Sequence, residues 1–539
     1  WRLYLAWPLQ RCWAAGPMTR RQWVALTVVS LVPLLVAWIW VIAPGYTDAE
    51  YYMATGQRLA TGHGLSEPFI WNYLAGVHQI PHPSHLYWMP LTTLLAALPM
   101  SLAGVSFRVA QIPFLIVAFS LPLLSARLAL YLGGNSRQAL LAGILASLPG
   151  FYLPFLLTTD AFGLYSLLGT AVLVSLALAV KHGQFRWSLA AGASIGLAHL
   201  TRADGLILAL PALWSLRGLN AQRGRHGAVM IAGYLLVAGP WMIRMMLVTG
   251  SPLPPGANRT LWLTDYDSLF SYPATTLTTA ALLSEGVGTI VSTRLSALMA
   301  NLGSLFMVNG LVFLGPFMLW GGWRLRRKPL VQMATVFLIG LLLTMSIVFP
   351  FPGTRGGFFH SSSALMPTLW ALASFGLYAA IERVADWRGW ERARSVKMLS
   401  VGAVAISLTA TAFLLWVRLV APAASGDGWG RTLQSYRQLG DRLVELGADG
   451  VQPVAVNDPP GYWLATGQQS VVVPNGGPQA LQSVVRDFGV GWVLLDANRP
   501  AGLADLFASP RSLDGLSYVE TLNLPKLGEV RLYQTEAGP

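Results

Sequence analysis

The sequence predicts an all-α polytopic membrane protein with about eleven transmembrane helices, followed by a C-terminal extracytoplasmic α/β domain. Three observations lead there: too few charges to cover a soluble surface, repeated apolar runs of spanning length, and a one-sided distribution of Lys and Arg. Charged residues make up 11% of the 539, hydrophobic residues 54%, and the mean hydropathy is +0.52. A soluble chain has about a quarter of its residues charged, so most of this surface must face lipid. The 21 Trp and 17 Tyr suit interfacial belts. The single cysteine, Cys12, excludes an internal disulfide framework and a Cys-rich metal site.

Crossing about 30 Å of hydrocarbon takes roughly 20 apolar residues. Such runs fall at 23–43, 108–132, 137–157, 161–180, 187–200, 205–217, 227–247, 302–323, 330–349, 362–381 and 396–416, the fifth and sixth being short. The first is read as a span and not a cleaved leader, because Pro44-Gly45-Tyr46 offers no small-x-small site. Taking 1–22 as cytoplasmic puts Arg20, Arg21, Arg137, Lys181, Arg186, Arg217, Arg223, Arg225, Arg324, Arg326, Arg327, Lys328, Arg383, Arg388, Arg392, Arg394 and Lys397 inside. That is the positive-inside pattern. The net charge of +13 and pI near 10.0 therefore reflect membrane topology and not a nucleic-acid partner.

The stretch 88–103 is apolar but short, and counting it as a span would place the basic connections outside. It is predicted to be an interfacial helix within one long outer loop, 44–107, of a membrane domain covering 23–420. Beyond 416 the composition turns soluble. Residues 427–539 read as an α/β domain, with helices at 431–447, 477–488 and 501–508 and strands at 453–457, 470–474, 490–496, 517–523 and 529–535. About 110 residues can bury a core of their own. The N-terminus is then inside and this domain outside.

Ionisable residues avoid mid-span positions and gather at outer span ends and loops: Asp48, Asp160, Arg202, Asp204, Arg244, Arg355 and His360. A transporter would place them near the bilayer midplane. This distribution suggests a cleft at the outer interface, reached by a lipid from the side. Thr47-x-x-Glu50 fits a capping box opening a helix at 48–60, which would occupy Glu50. Asp48 is less well explained as helix-start decoration, and on a helix it points away from Glu50. His82 and His85, between prolines, suit a phosphate or a metal, or are ordinary loop histidines; no HExxH pattern is present. Thr158-Thr159-Asp160 opens a span and reads equally as an N-cap. His199-Leu200-Thr201-Arg202-Ala203-Asp204-Gly205 is a tight charged turn. Arg355, among glycines just before His360 and a span, suits a clamp on a substrate phosphate.

These stretches resemble the GT-C membrane glycosyltransferases, in particular the protein O-mannosyltransferases, the lipid A aminoarabinose transferases and the rhizobial lipopolysaccharide glycosyltransferases. The matching segments are TDAEYYMATGQRLATGHG (47–64), HPSHLYWMPL (82–91), LLTTDAFGLY (156–165), GLAHLTRADGL (196–206) and GPWMIRMMLVTGSPLPPG (239–256), in family order. The resemblance implies a sugar donor carried on a polyprenyl phosphate and transfer at the outer face of the cell membrane. By position it makes Asp48 the catalytic Asp and Asp160 a second catalytic acid. It leaves Glu50, His82, His85, Arg202, Arg355 and His360 as substrate-binding candidates. His82 stands where some members have a phosphate-contacting Lys, and the common Asp-Glu pair is displaced to Asp48-Ala49-Glu50. No Trp-Trp-Asp motif occurs in 427–539, which disfavours transfer of an oligosaccharide en bloc.

The expected activity is glycosyl transfer from a polyprenyl-phosphate-linked donor, a hexosyl or pentosyl carrier, to a hydroxyl on an envelope protein, lipid or glycan. A divalent metal is possible and no nucleotide fold is needed. The alternative is a non-catalytic scaffold or transporter presenting the C-terminal domain.

Overall fold

A computed structural model describes residues 18–536, so most of the segment read as cytoplasmic, with Cys12, lies outside the described residues. Every predicted span contains helix. Among the described residues, however, only eight helices are long and apolar enough to cross a bilayer: Arg20–Trp40, Phe107–Tyr131, Phe162–His182, Arg223–Thr249, Val287–Asn309, Pro329–Val348, Pro350–Arg388 and Arg392–Ala424. The other three are short or interrupted. The run at 137–157 stops at Ser147, where Pro149-Gly150 breaks the helix and Gly150 adopts φ +58°. The run at 187–200 forms Phe185–Thr201, and that at 205–217 folds as a 3₁₀ turn followed by the short helix Ala209–Ser215. The helix predicted at 302–323 starts earlier, at Val287. It is split from Gly315–Arg324 by a turn in which Leu311 and Val312 take positive φ. Apolar side chains such as Ile39, Leu236, Leu247, Val401 and Phe413 stay exposed on the bundle, as a lipid-facing surface requires. The chain is a multi-pass membrane protein.

The first loop contains helix α1 (Thr47–Ala60) and the interfacial helix α2 (Leu91–Ala103). They pack through Gly56 against Ala96 and Met100, and through a Thr55–Thr93 hydroxyl contact of 2.8 Å. The capping box is not formed: the N-cap is Tyr46, without a side-chain bond, and Thr47 already lies in the helix.

The C-terminal domain follows the predicted order closely: helix α3 (Arg431–Glu445), strand β2 (Val454–Val456), helix α4 (Pro459–Thr466), strand β3 (Ser470–Val472), helix α5 (Gly477–Phe488), and strands β4 (Trp492–Leu495), β5 (Leu516–Leu524) and β6 (Gly528–Thr535). Helix α4 was not predicted, although Asp458-Pro459-Pro460 is a helix-start signal, because proline is tolerated in the first turn. The sheet takes a sixth strand from the first loop, β1 (Phe69–Ile70). The order is β1-β3-β2-β4-β6-β5, with the first four parallel and the last two antiparallel. Pairing of Ile70 with Val471 ties the loop that carries α1 to the domain. Strands β2, β3 and β4 are buried throughout and read as continuous apolar runs, as parallel strands covered on both faces do.

Candidate active site

A cavity of about 840 Å³ lies between the helix ends of the membrane domain and the parallel edge of the sheet. Asp48, in the first turn of α1, enters from one side. Asp160 sits just before helix Phe162–His182, and His360 in the short helix Phe358–Ser362. His360 Nε2 lies 3.0 Å from Asp160 Oδ2 and 3.5 Å from Asp48 Oδ2. The ring stacks on Phe162 at 3.9 Å, and its Nδ1–H donates to the Gly356 carbonyl at 2.8 Å. With Nδ1 committed as donor, Nε2 faces two carboxylates. Only a proton or a cation between them satisfies all three groups.

The two acids are made unequal by their surroundings. The Tyr46 hydroxyl donates to Asp160 Oδ2 at 2.6 Å, and the Ala161 amide donates to the other oxygen. Burial would raise the Asp160 carboxyl, but His360, Tyr46 and this amide together hold it below its usual range. Asp48 has less help. Burial lifts it to about 6, against the opposing pull of His360. One carboxylate is thus kept ionised while the other titrates near neutrality, a division typical of acid–base sites.

The trio offers one ligand atom each, all within 4.8 Å of one another. Ion–ligand bonds of about 2.0–2.2 Å place neighbouring ligand atoms roughly 3 Å apart. An Nε2 lone pair fixed by an Nδ1–H bond to a carbonyl is the usual state of a ligating histidine. The residues therefore fit a divalent ion.

Two arginines line the same cavity in different states. Arg202 makes two 3.1 Å bonds to Asp204, which also accepts from Ser361, so its charge is internally paired. Arg355 is exposed on the segment 353–357, where Gly356 at φ +113° turns the backbone. Its guanidinium lies 5.0 Å over the Tyr266 ring and has no carboxylate partner among the described residues. Asn457 and Arg499, from loops at the carboxyl ends of β2 and β4, line the opposite wall.

Three predicted binding residues lie elsewhere. His82 is buried in a two-stranded ribbon, Ser66–Glu67 against His82–Pro83, with Nε2 3.0 Å from the Phe69 carbonyl and 3.6 Å from Glu67. His85 is wholly buried between Ser84 and Thr93, where burial pushes it down to about 3. Both stiffen the loop and neither reaches the cavity. Glu50 is buried against the C-terminal domain. Missed in the sequence were Tyr46, Tyr266, Asn457, Asp458 and Arg499. Of these only Asp458 carried a signal, the Asp-Pro-Pro helix start.

Residues 82–243 match the family described as dolichyl-phosphate-mannose-protein mannosyltransferase. The structure is similar to ArnT from Cupriavidus metallidurans in the apo state, with a TM-score of 0.56 at 14% identity over 96% of this chain and 99% of that one. It is similar also to ArnT bound to undecaprenyl phosphate, with a TM-score of 0.55 at 13% identity over 97% and 100% of the two chains. The chain has the GT-C membrane glycosyltransferase fold. A second GT-C relative by structure is the archaeal oligosaccharyltransferase AglB from Archaeoglobus fulgidus, solved with an inhibitory peptide and a dolichol-phosphate. Its TM-score is 0.56 at 12% identity, over 88% of this chain and 69% of that one. No curated protein matches the sequence significantly.

Proposed function

We propose that the chain is a glycosyltransferase that moves a sugar from a polyprenyl-phosphate donor to an acceptor hydroxyl. The observation that carries this is the Asp48–His360–Asp160 cluster opening into a GT-C cavity beside Arg355, an arginine with no acid partner among the described residues. In this reading the acceptor oxygen attacks the anomeric carbon as the bond to the phosphate breaks. The acceptor proton passes to the Asp48 carboxylate, which titrates near the pH at which a base works best. Arg355 meets the charge that grows on the departing phosphate. Asp160, held ionised by Tyr46 and the Ala161 amide, keeps His360 in place. A divalent ion held by Asp48, Asp160 and His360 would add charge neutralisation on the phosphate. Transport is disfavoured because this cluster sits at the helix ends and not at mid-span.

The test is transfer of radiolabel from polyprenyl-phosphate hexoses and pentoses to cell-envelope fractions by purified chain in nanodiscs. Donor binding without transfer to any fraction would leave a scaffold. The Lys and Arg asymmetry supports an extracytoplasmic site. A reporter fused after residue 430 should be active only outside, and one near 325 only inside. The reverse would overturn that orientation.

A further inference from the structure

The helix Val287–Asn309 packs beside the segment that carries Arg355 and His360, yet apolar burial barely holds it there. Val291, Leu295, Met299 and Met307 are exposed, and its buried residues are Ala297, Asn301 and Asn309. These three stand four and then eight residues apart, on one narrow stripe of the helix. A helix set in lipid gains little by burying apolar surface, so interhelical hydrogen bonds carry more of its attachment. Both asparagines make such bonds.

Asn301 Nδ2 donates to the Met345 carbonyl at 3.1 Å and to Ser346 Oγ at 3.0 Å. That carbonyl lacks its usual helical donor, because the Phe349 amide turns back to Thr344 at 2.9 Å and residue 350 is proline. Met345 in turn lies against Gly353, two residues before Arg355, where a Cβ would collide with the same carbonyl. Further along the helix, Asn309 Nδ2 donates to the Tyr152 hydroxyl at 3.0 Å and to Ser362 Oγ at 3.1 Å. The Tyr152 hydroxyl donates to the carbonyl of Phe359, the residue before His360, at 2.9 Å. Eight residues of helix separate the two asparagines by about 12 Å. The chain between their partners contains Gly353, Gly356 and Gly357, and Arg355 and Gly356 leave helical backbone. Such a stretch has little conformational preference of its own, so its path is set from its ends.

We propose that Asn301 and Asn309 are positioning residues, and that the helix Val287–Asn309 is a strut whose two amides fix the spacing between the Arg355 turn and the His360 helix. The part concerning turnover rests on the glycosyltransferase reading. The part concerning backbone position does not. Asn301 acts on binding of the donor phosphate through Arg355, and Asn309 acts on the reaction step through His360.

The experiment uses the full chain in nanodiscs, with three readouts: hydrogen exchange over residues 349–362, affinity for undecaprenyl phosphate, and transfer turnover. Leucine keeps the volume of asparagine and removes its donor. Asn301→Leu should speed exchange over 353–357 about tenfold and weaken undecaprenyl phosphate binding about fivefold, with kcat within about twofold. Asn309→Leu should speed exchange over 358–362 about tenfold and lower kcat about tenfold, with undecaprenyl phosphate affinity within about twofold. These are the losses expected when a buried hydrogen-bond partner is removed. Ser346→Ala and Ser362→Ala cover the case in which a leucine variant does not fold, since each removes one partner and leaves the asparagine a second. Each should show the same split at about threefold. Asparagines that only held the fold would move both functional readouts together or neither. Equal losses of affinity and turnover in both positions, or normal values of both despite faster exchange, therefore overturn the strut. Unchanged exchange in either leucine variant does so as well. If the wild-type chain transfers nothing, the enzyme reading falls, and exchange with undecaprenyl phosphate affinity decides the strut.

Discussion

Replacing Asp48 with Asn separates catalysis from structure, because the two respond in opposite directions. The Asp48 side chain is 29% exposed, and burial lifts its carboxyl from 3.8 to about 6. An acid raised on folding binds more protons folded than unfolded, so stability falls as pH climbs from 3.8 to about 6. Above that range the ionised carboxylate withholds up to about 3 kcal/mol of stability. Asn has nearly the same shape and no charge, so at neutral pH Asp48→Asn should melt higher than the wild type. It cannot take a proton, and losing a general base costs roughly 100- to 10,000-fold in rate, or about 3–5 kcal/mol in barrier. The assay is transfer from a labelled polyprenyl-phosphate sugar, with a melting curve and undecaprenyl phosphate binding on the same sample. Turnover within about tenfold of wild type would refute the base assignment. Lost activity together with a lower melting temperature would make Asp48 a structural residue.

Turnover should rise with pH through an apparent pKa near 6 and then level off, since the deprotonated Asp48 is the active form; a flat profile from pH 5 to 8 would contradict this. Arg355→Ala should weaken undecaprenyl phosphate binding about tenfold, the loss expected for a charge-assisted contact of roughly 1.5–3 kcal/mol, whereas an unchanged dissociation constant would leave Arg355 to its Tyr266 contact. His82→Gln should lower stability by about 1–3 kcal/mol through the weakened partner of buried Glu67, with donor affinity intact; weaker donor binding at unchanged stability would restore His82 as a ligand. His360→Ala should abolish binding of Mn²⁺ or Zn²⁺ measured by calorimetry, and wild-type affinity in that variant would place any ion elsewhere.

Much of the architecture was legible because it follows from local physics. The cost of burying charge in hydrocarbon fixes where spans can lie, and eight of the eleven apolar runs fall on helices of spanning length. Period-two and period-3.6 patterns located the five strands and three helices predicted in the C-terminal domain. They missed β1, two residues long and without periodicity of its own, which exists only because β3 offers it an edge. Span lengths were misjudged where Pro149-Gly150 and the turn before Gly315 interrupt runs that hydropathy alone sees as continuous.

The site divides along the same line. The sequence by itself determined that Asp48, Asp160, Arg355 and His360 stand at span ends, where a charge is tolerated, and its motifs pointed to the GT-C fold. Only the tertiary structure brought His360 within 3.0 Å of Asp160 across 200 residues of chain, and left Arg202 paired but Arg355 without a carboxylate partner among the described residues. It also turned His82, His85 and Glu50 away from the cavity, and Glu50 toward an acid in another domain. The reason is physical. Hydropathy and periodicity are properties of neighbouring residues, whereas a carboxylate's role depends on which distant groups the packing sets against it.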